Sequence, residues 1–573
     1  MKIGMKLGMP MLMVATLVCI ELTSPARLCA QGPRYKVIDL GTSGGPQSYL
    51  YIPDQYARVL NNSGAVAGWA DTSTFDSFPS FCFDQDCLVS KAFQWQDGVH
   101  TDLDELVPGF SNQANWINAG GLVAGFAENG EIDPLISGFP ETHAVLWNNG
   151  GIVDLGTLAG GYESIASAVN SKGQVAGWAQ NTIPDSNSMA CPGFCTTETR
   201  AFLWQNGMIQ DLGTLQGGTD AMALLINDLG QVVGNSYTKS KPSAYCAKPQ
   251  IGFPLTTGAF IWQEGKMKDL GNFGGTCTLA SALNNLGQVV GLSTLKDDVA
   301  QHPFLWDGER LKDLGTFGGS LGNAIAISDT GKVAGWASVS GDQAQHAFLW
   351  EQGAMTDLGI LPDTLPDLVN SFAVDVNSSG QIIGFLADSQ LANFRAFVWQ
   401  KGLMYDLDAL IASSGLQLGS EVANINDLGE IAGNATDVNN QSHAVLLVPC
   451  DANDSDCPDA TADTKVRPAP AITSPTKNLN NAMRLMLRRR LAPLEIPSAK
   501  TSPGPTSPDG ASGAPKDSTP ILRTPPLPIV PPSLRQFPGR CTREGMECPP
   551  IFPPCCAGLT CVPESTRAFC LRI

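Results

Sequence analysis

The chain has 573 residues and a formal net charge of −19 at pH 7, and its 60 Gly and 40 Pro favour turns over long helices. Counting Lys and Arg against Asp and Glu gives −29 over residues 31–460 and +8 over residues 461–540. A body of that sign repels nucleic acid and anionic lipid, so we expect no nucleic-acid partner. A solvated surface or a cationic partner is compatible with it.

The N-terminus has the pattern of a secretory signal over residues 1–30. Lys2 and Lys6 precede a short apolar run at residues 9–20, and small residues follow near Ala30. The run is about a dozen residues, short of the roughly 20 that span a bilayer, and nothing comparable recurs. We therefore expect a secreted chain with no transmembrane segment after signal cleavage.

One phrase recurs along the body, for example HAFLWEQGAMTDLGIL from His346. Its tryptophan is followed seven residues later by Asp, with a glycine three residues after the tryptophan. Polar residue and glycine together predict a tight hairpin, so the two flanking segments should be paired strands. The repeated tryptophans are Trp95, Trp147, Trp204, Trp262, Trp306, Trp350 and Trp399.

A second hairpin precedes the first in each unit, as in SALNNLGQVVGLS around Gly287, where apolar residues alternate about a polar turn. Four short strands per unit, b, c, d and a, predict an all-β fold and a β-propeller over residues 31–449. We expect eight blades, with seven as the alternative. A lone a strand at residues 36–40 would complete the last blade, which ends in a d strand at residues 443–448, and so close the ring.

Insertions concentrate in the first four units. From the glycine that ends strand c to the tryptophan of strand d there are 22 to 28 residues in units one to four and 15 in the next three. The c-to-d loops and the glycine-rich a-to-b crossings should emerge on one face of a propeller, opposite the tight hairpins. We expect a partner to bind on that face.

Fourteen cysteines remain after signal cleavage, and eight of them lie in the body and its end as near neighbours: Cys82 with Cys87, Cys191 with Cys195, Cys246 with Cys277, and Cys450 with Cys457. Disulfides suit an exported chain, and a Cys246 to Cys277 bridge would join two loops of one face. Zinc is the alternative for closely spaced cysteines, but no pair has a second Cys or His pair at zinc-finger spacing.

The wording HAFLW, DLGTL and GQVVG resembles the HAF family of extracellular repeats of secreted bacterial proteins, over about residues 36–448. The resemblance implies an exported repeat protein and no particular activity. Two places depart from the pattern. Leu447 stands where tryptophan is expected, and the first a-to-b crossing is expanded at residues 49–56.

Residues 450–540 predict a largely disordered linker, because 16 prolines lie among Ser, Thr and Ala in residues 461–540. Within it, residues 478–494 could form a basic amphipathic helix that is solvated, docks on a membrane or partner, or docks on the propeller. Residues 451–459 space their carboxylates like a calcium loop but lack its glycine and closing glutamate. A hinge bounded by Cys450 and Cys457 is the competing interpretation.

The last 33 residues resemble an inhibitor cystine knot, with six cysteines, one adjacent pair and short loops. The resemblance implies a small disulfide-rich domain at residues 541–573 that acts by binding. It also implies the pairs Cys541 with Cys556, Cys548 with Cys561, and Cys555 with Cys570.

No catalytic, cofactor or metal site is predicted. Of five histidines, four occupy one repeat position, where Lys, Arg and Gly also occur, and only His100 is unassigned. We expect a monomeric, non-enzymatic protein that binds an unknown extracellular ligand, either a carbohydrate or a protein. The alternative is a polysaccharide hydrolase or lyase that uses acidic residues of the loop face.

Overall fold

The structure is a computed structural model that describes residues 32–51, 57–78, 87–136, 138–190, 196–248, 252–361, 368–450, 457, 560–564 and 567–571. The chain divides into two compact units, Met1–Ser498 and Ala499–Ile573. The first is almost entirely antiparallel β-sheet. Its strands are presented below as repeat units, each numbered in chain order.

Strand β1 (Tyr35–Asp39) stands before the first repeat unit. Units 1 to 4 then each contribute four strands. They are β2 (Ser48–Tyr49), β3 (Val66–Phe75), β4 (Leu88–Gln96) and β5 (Val99–Asp102); β6 (Asn112–Ile117), β7 (Val123–Ile132), β8 (Pro140–Asn148) and β9 (Gly151–Gly156); β10 (Ser164–Val169), β11 (Val175–Pro184), β12 (Thr197–Gln205) and β13 (Met208–Asp211); and β14 (Ala221–Ile226), β15 (Val232–Pro242), β16 (Leu255–Gln263) and β17 (Lys266–Asp269).

Units 5 to 7 repeat the arrangement, and unit 8 has three strands of its own. They are β18 (Gly274–Leu283), β19 (Val289–Leu295), β20 (Gln301–Trp306) and β21 (Leu311–Asp313); β22 (Gly318–Ile327), β23 (Val333–Val339), β24 (Gln345–Glu351) and β25 (Ala354–Gly359); β26 (Leu368–Val376), β27 (Ile382–Asp388), β28 (Phe394–Gln400) and β29 (Leu403–Asp406); and β30 (Val422–Ile425), β31 (Ile431–Thr436) and β32 (Ser442–Pro449).

Helical structure is confined to short segments in the described residues. These are one turn of α-helix, α1 (Leu407–Leu410), and two 3₁₀ turns at Lys296–Asp298 and Ala412–Ser414. The second compact unit contributes one described hairpin, β33 (Thr560–Glu564) with β34 (Arg567–Leu571), in which Cys561 and Cys570 are opposite in register.

Each unit is a four-stranded antiparallel sheet in the predicted order b, c, d, a. Units 4, 5 and 6 are further joined into one sheet by single parallel bridges, Thr257 to Cys277 and Gln301 to Leu321. The predicted d–a hairpin is present, and in unit 3 its two central residues, Asn206 and Gly207, have φ of 53° and 78°. Two positive φ values are the geometry that a two-residue hairpin needs to match the strand twist. The fold is a β-propeller.

The inner strand is bulged in units 2 to 8, and the glycine of strand c fits against it. In unit 3 the register shifts between Ala166 and Ala168, opposite Gly177. A Cβ at Gly177 would stand 2.1 Å from the Ile165 carbonyl oxygen and 2.7 Å from the Phe202 ring. Only glycine allows this approach. The same strand-d phenylalanine is fully buried in most units: Phe93, Phe202, Phe260, Phe304, Phe348 and Phe397.

A buried asparagine at the b–c turn links each unit to the next. In unit 1 the Asn61 carboxamide oxygen accepts from the Ser63 and Ala65 N–H groups, both at 3.0 Å, and its Nδ2 donates to the Asn118 carbonyl at 3.0 Å. The same donation continues from Asn118 to Asn170, Asn170 to Asn227, Asn227 to Asn284, Asn284 to Ser328, Asn377 to Asn426, and Asn426 to Asn61. We call this series the asparagine relay.

Unit 6 lacks the amide because Ser328 takes the asparagine position. The carbonyl of Ser378 in unit 7 instead accepts from Thr330 Oγ1 at 3.2 Å and Lys332 Nζ at 3.0 Å. This carbonyl follows that of Asn377, the relay position of unit 7, which accepts from the Gly380 N–H at 3.0 Å, so units 6 and 7 are linked through a neighbouring group.

The first strand joins the last unit. Strand β1 pairs with β32 in antiparallel register from Tyr35 opposite Pro449 to Asp39 opposite Val445, so unit 8 also has four strands. Tyr35 is buried in the core of that unit. Units 8 and 1 are also in contact, because Asn434 Oδ1 accepts from the Leu50 N–H at 2.7 Å and its Nδ2 donates to the Leu50 carbonyl at 3.1 Å.

Candidate functional site on the loop face

The c-to-d insertions of units 1 to 4 lie on the same face as the a-to-b crossings, which we call the loop face. Each insertion is closed by a backbone hydrogen bond from the residue that follows strand c. Asp76, Asp133, Asp185 and Ser243 donate their N–H groups to the carbonyls of Cys87, Phe139, Thr196 and Pro254 at 2.8 to 3.0 Å. The insertions therefore begin from a common backbone geometry.

Large apolar side chains are exposed at the ends of the c strands on this face. Phe75, Ile132 and Ile183, which lie one or two residues before the closing aspartates of units 1 to 3, are 76%, 52% and 53% exposed. Others on the same face are Leu135, Val299 and Val438. Apolar side chains exposed together on one face mark binding surfaces, whereas single exposed ones are ordinary.

The predicted disulfide between Cys246 and Cys277 is present. It joins the insertion of unit 4 to the crossing that opens unit 5, and both cysteines are fully buried. Beside it, Tyr245 donates its hydroxyl to Gln301 Oε1 at 2.9 Å, and Lys248 lies 3.9 Å from the Tyr245 ring. The bridge therefore fixes two loops of one face, as its sequence position predicted.

Between units 1 and 2, two buried carboxyl groups share one serine. Ser111 donates its hydroxyl to Asp76 Oδ2 at 2.9 Å and its N–H to Glu128 Oε2 at 3.0 Å. Burial and the neighbouring Asp76 raise the pKa of Glu128 to about 7. Glu128 is 2% exposed, so this pair has almost no contact with solvent.

Between units 2 and 3 the corresponding acids are Asp133 and Glu163, which are 1% and 4% exposed. Thr142 donates both its N–H, at 3.1 Å, and its hydroxyl to Glu163 Oε2. Glu163 Oε1 and Asp133 Oδ2 are buried and have no hydrogen-bond partner in the described part of the chain. Burial, with Asp133 and Glu141 nearby, raises the pKa of Glu163 to about 8.

Between units 3 and 4 the acids are Asp185 and Asp220. Asp220 is fully buried, and its Oδ1 accepts from the N–H groups of Thr199 at 2.7 Å and Met189 at 3.1 Å. Its Oδ2 has no hydrogen-bond partner among the described residues. Burial raises the pKa of Asp220 to about 7, and a contact with the Asp185 carboxyl acts in the same direction.

At the junction of units 4 and 5, two hydroxyl groups occupy the position that the acid pair has at the other junctions. Ser243 and Thr276 hydroxyl oxygens are 2.6 Å apart, and the disulfide lies next to them. Thr276 also donates its hydroxyl to Asp298 Oδ2 at 2.6 Å, so this junction has a single carboxylate with its own donors in place of an acid pair.

The buried acids are poorly placed for catalysis. A general acid or base must come within hydrogen-bond reach of its substrate, and Asp133, Glu163 and Asp220 are at most 4% exposed. Within the described ranges, no three His, Cys, Asp or Glu side chains are grouped so that they could hold a metal ion.

The histidines have structural partners. His143, His302, His346 and His443 each bind the aspartate of the neighbouring a strand at 2.9 to 3.0 Å through Nδ1. His100, which the sequence left without a role, has its Nδ1 2.8 Å from the Leu40 carbonyl and stacks on Phe93 with ring centroids 4.5 Å apart. It thus anchors the residue that follows β1.

A small cavity of about 80 Å³ lies among the inner strands and b–c turns of units 1, 2, 6, 7 and 8. Arg58 is the one cation in its lining and lies 5.7 Å over the Trp116 ring. Asp375 Oδ2 accepts from Asn424 Nδ2 at 3.2 Å and the Ile425 N–H at 3.0 Å. The lining includes tight turns, so this cavity is not part of the loop face.

The structure describes only some of the other residues predicted from the sequence. The repeated tryptophans lie on strand d and are buried or partly buried, and Trp147 Nε1 donates to the Asp104 carbonyl at 2.8 Å. Cys450 and Cys457 form the predicted disulfide, and Cys87 is disulfide-bonded. Outside the described residues are Cys82, Cys191, Cys195, Cys541, Cys548, Cys555 and Cys556, most of residues 451–459, and residues 478–494.

No known protein-family model matches the chain, and no curated protein matches it. Among solved structures it is similar to the β-propeller domain of the Trilobed protease from Pyrococcus furiosus (11% identity, TM-score 0.35, 64% of this chain and 96% of that one). It is also similar to Porphyromonas gingivalis dipeptidyl peptidase 4 (10%, 0.39, 71% and 61%) and to TolB from Acinetobacter baumannii (10%, 0.28, 73% and 97%). Similarity at this level carries no information on activity or ligand.

The described residues contain no helix long and apolar enough to cross a membrane.

Proposed function

We propose that this chain is a secreted, non-enzymatic binding protein whose ligand site is the loop face of a closed, eight-bladed propeller. The observation that carries the proposal is the set of exposed apolar side chains, Phe75, Ile132 and Ile183, on neighbouring insertions anchored by buried polar contacts. Anchored loops lose little conformational entropy when they bind, which favours affinity.

Closure of the ring is supported by three contacts between the chain ends. Strand β1 supplies the fourth strand of unit 8, Asn426 donates to the Asn61 carbonyl at 3.1 Å, and Asn434 binds the Leu50 backbone. Eight blades then account for each group of four strands, whereas seven would leave one group outside the ring. With β1 in place, the long strand β32 is not an edge, and the outer strand of each unit is the short a strand.

Binding fits the geometry better than the alternative, an extracellular polysaccharide hydrolase or lyase. A hydrolase needs two carboxyl groups that flank the bond to be broken, and the acid-based alternative in either form needs acidic side chains that reach the substrate. The acid pairs of the loop face are buried beneath the insertions, with Asp133 and Glu163 only 1% and 4% exposed. Their position suits a structural role below the surface that meets the ligand.

The HAF-like repeats and the C-terminal segment extend the proposal. Residues 541–573 would form a knot-like accessory module that binds through its own loops, separated from the propeller by the linker of residues 450–540. The hairpin of β33 and β34, which brings Cys561 and Cys570 into register, is compatible with such a module.

A glycan array and an extracellular-protein array, each probed with the full chain, test the proposal. Phe75→Ser on the loop face should abolish binding to any hit. Leu286 is 64% exposed on the opposite face, where the b–c turns lie, and Leu286→Ser should leave binding unchanged. Product release from the bound glycan that one carboxylate substitution abolishes would establish the enzyme instead. Equal loss in both variants would place the ligand elsewhere.

A further inference from the structure

The three acid pairs of the loop face have a common origin in the fold. One member, Asp76, Asp133 or Asp185, directly follows strand c, where the insertion starts. The other member belongs to the next unit. Glu163 and Asp220 directly precede its inner strand, and Glu128 lies on its c strand and is reached through Ser111. Each pair therefore joins the start of an insertion to the neighbouring unit.

The closing aspartates also hold their own loops. Asp76 Oδ1 accepts from the Phe78 N–H at 2.7 Å, Asp133 Oδ1 from the Leu135 N–H at 2.6 Å, and Asp185 Oδ1 from the Asn187 N–H at 2.6 Å. One oxygen of each carboxyl group thus fixes the first turn of the insertion. The other oxygen is directed elsewhere, in Asp76 to the Ser111 hydroxyl.

At the second junction two oxygens lack a donor, Asp133 Oδ2 and Glu163 Oε1. Buried oxygens without a partner cost several kcal/mol when the group is charged. Protonation of one carboxyl group of the pair would remove its charge and turn one of its oxygens into a hydrogen-bond donor. Asp220 Oδ2 at the third junction is in a similar position, beside the Asp185 carboxyl and the Thr219 hydroxyl.

A metal ion would compensate the charge less well. Calcium takes six to eight oxygen ligands, usually with three or more carboxylates. No third His, Cys, Asp or Glu joins these pairs as a ligand group in the described part of the chain. A proton needs only the two oxygens that are present.

The cationic side chains nearest to the acid pairs are bound to other carboxylates. Glu163 faces Asp133 and Glu141, and His143 on the same strand is bound to Asp154. Asp220 faces Asp185 and the Tyr237 hydroxyl, and Arg200 is paired with Asp211 and Glu198. Glu128 faces Asp76, while Lys91 is paired with Asp102 and Glu105.

We propose that the carboxyl pairs of the second and third junctions are proton-held clamps that keep the insertions of units 2 and 3, and the apolar side chains at their bases, fixed against the next unit, and that loss of the protons in alkaline solution releases them. This regulation rests on the proposed function of the loop face. The fourth insertion has hydroxyls and a disulfide at the same place, and the pKa of the neighbouring Asp298 is lowered by its hydrogen bonds against the effect of burial, so this insertion should stay fixed from about pH 6 to about pH 9.

The direction of the pH effect follows from the linkage between protonation and the stability of the folded arrangement. Burial raises the pKa of Glu128 and Asp220 to about 7 and that of Glu163 to about 8, above their ordinary values of 4.5, 3.8 and 4.5. A raised carboxyl pKa favours the folded arrangement at low pH, and the advantage is lost as the pH rises through the raised values. The clamps should therefore hold at about pH 6 and open by about pH 9.

Limited proteolysis of the full chain with proteinase K, at about pH 6 and about pH 9, tests this proposal, with each rate divided by that of the denatured chain. Cuts are located by mass spectrometry. We expect cleavage within residues 133–139 and 185–196 to rise about tenfold or more at the higher pH, while cleavage within residues 243–254 stays constant. The readout needs no ligand, so it stands apart from any failure of the arrays.

Matched variants show which carboxyl group causes the pH dependence of cleavage in each insertion. Glu163→Gln should remove the pH dependence at residues 133–139 and leave it at residues 185–196, and Asp220→Asn should do the reverse. An equal increase in all three insertions, or an increase that the variants keep, would overturn the proposal. So would protection at about pH 9 by added Ca²⁺.

Infrared spectroscopy of the wild-type chain provides a second measurement in case a variant fails to fold. Protonated carboxyl groups give a carbonyl band distinct from that of carboxylates. The band should be present at about pH 6 and lost by about pH 9. Its absence at about pH 6 would reject the proton-held clamp.

Discussion

At the residue scale, the aspartate of each a strand makes two kinds of contact. Asp154 Oδ1 accepts from the Gly156 N–H at 2.7 Å, which fixes the start of the a-to-b crossing, and both oxygens lie 3.0 Å from His143 Nδ1. Asp269 in unit 4 keeps the glycine contact, with Gly271 at 2.8 Å, but Gly258 stands in place of the cation. The repeat thus contains its own control.

The Asp154→Asn substitution should remove the stabilising contact with His143, whereas Asp269→Asn has no such contact to remove. Hydrogen bonds from His143 and Gly156 lower the pKa of Asp154 against the opposing effect of burial. The stabilisation is therefore present above the ordinary value of 3.8 and is lost as the pH falls through the lowered folded value. Urea unfolding from about pH 7 to about pH 3 should give a cost of at most about 1 kcal/mol for an exposed pair. A cost for Asp154→Asn that does not shrink in acid would contradict this.

The asparagine relay predicts a larger effect. Asn426→Ala removes two hydrogen bonds that cap its own turn, from Leu428 and Glu430, and one to the Asn61 carbonyl. The bond to Asn61 is buried and the other two are part-buried, so we expect the free energy of unfolding to fall by about 1–3 kcal/mol. Ser328→Ala in unit 6, where Thr330 and Lys332 make the links to unit 7, should cost less than about 1 kcal/mol. Similar losses in the two variants would refute the role of the relay.

At the element scale, sequence patterns predicted the hairpins because their turn residues are local. The turn of Asn206 and Gly207 depends only on the φ values of these two residues. Strand β1 could be paired with the last unit because β1 was a strand without a unit and the last unit had only three strands. The acid pairs were missed because their members lie 30 to 52 residues apart in the sequence and meet only through packing of two units. The recurring Asn at the b–c turn was visible in the sequence, but its donation to the next unit depends on that packing.

The bulged inner strand makes a prediction for strand c. Gly177→Ala would place a Cβ 2.1 Å from the Ile165 carbonyl oxygen, so strands β10 and β11 must separate. We expect a loss of about 1–3 kcal/mol in chemical unfolding, as for overpacked cores. Gly151→Ala is the matched control, because the nearest atom to its added Cβ is at 3.6 Å. A Gly177→Ala variant as stable as Gly151→Ala would exclude the close approach.

At the scale of the whole molecule, the pairing of β1 with β32 makes the N-terminus part of the last unit. Removing residues 31–41 would expose the edge of β32 and the core around Tyr35. We expect the melting temperature to fall by at least about 10 °C and the protein to associate through the free edge. Melting curves and light scattering measure both effects. Deletion of residues 461–573 serves as the control, and an equal fall there would show that β1 is not special.

The same pairing has a consequence for biosynthesis. The two segments that complete unit 8, Tyr35–Asp39 and Ser442–Pro449, are made near the start and near the end of translation. Until the second has left the ribosome, the earliest strand has no partner, and the most slowly assembled part of the body is the seam between its oldest and newest residues. A chain stalled before residue 442 would carry an unmatched strand at each end, which marks it for quality control.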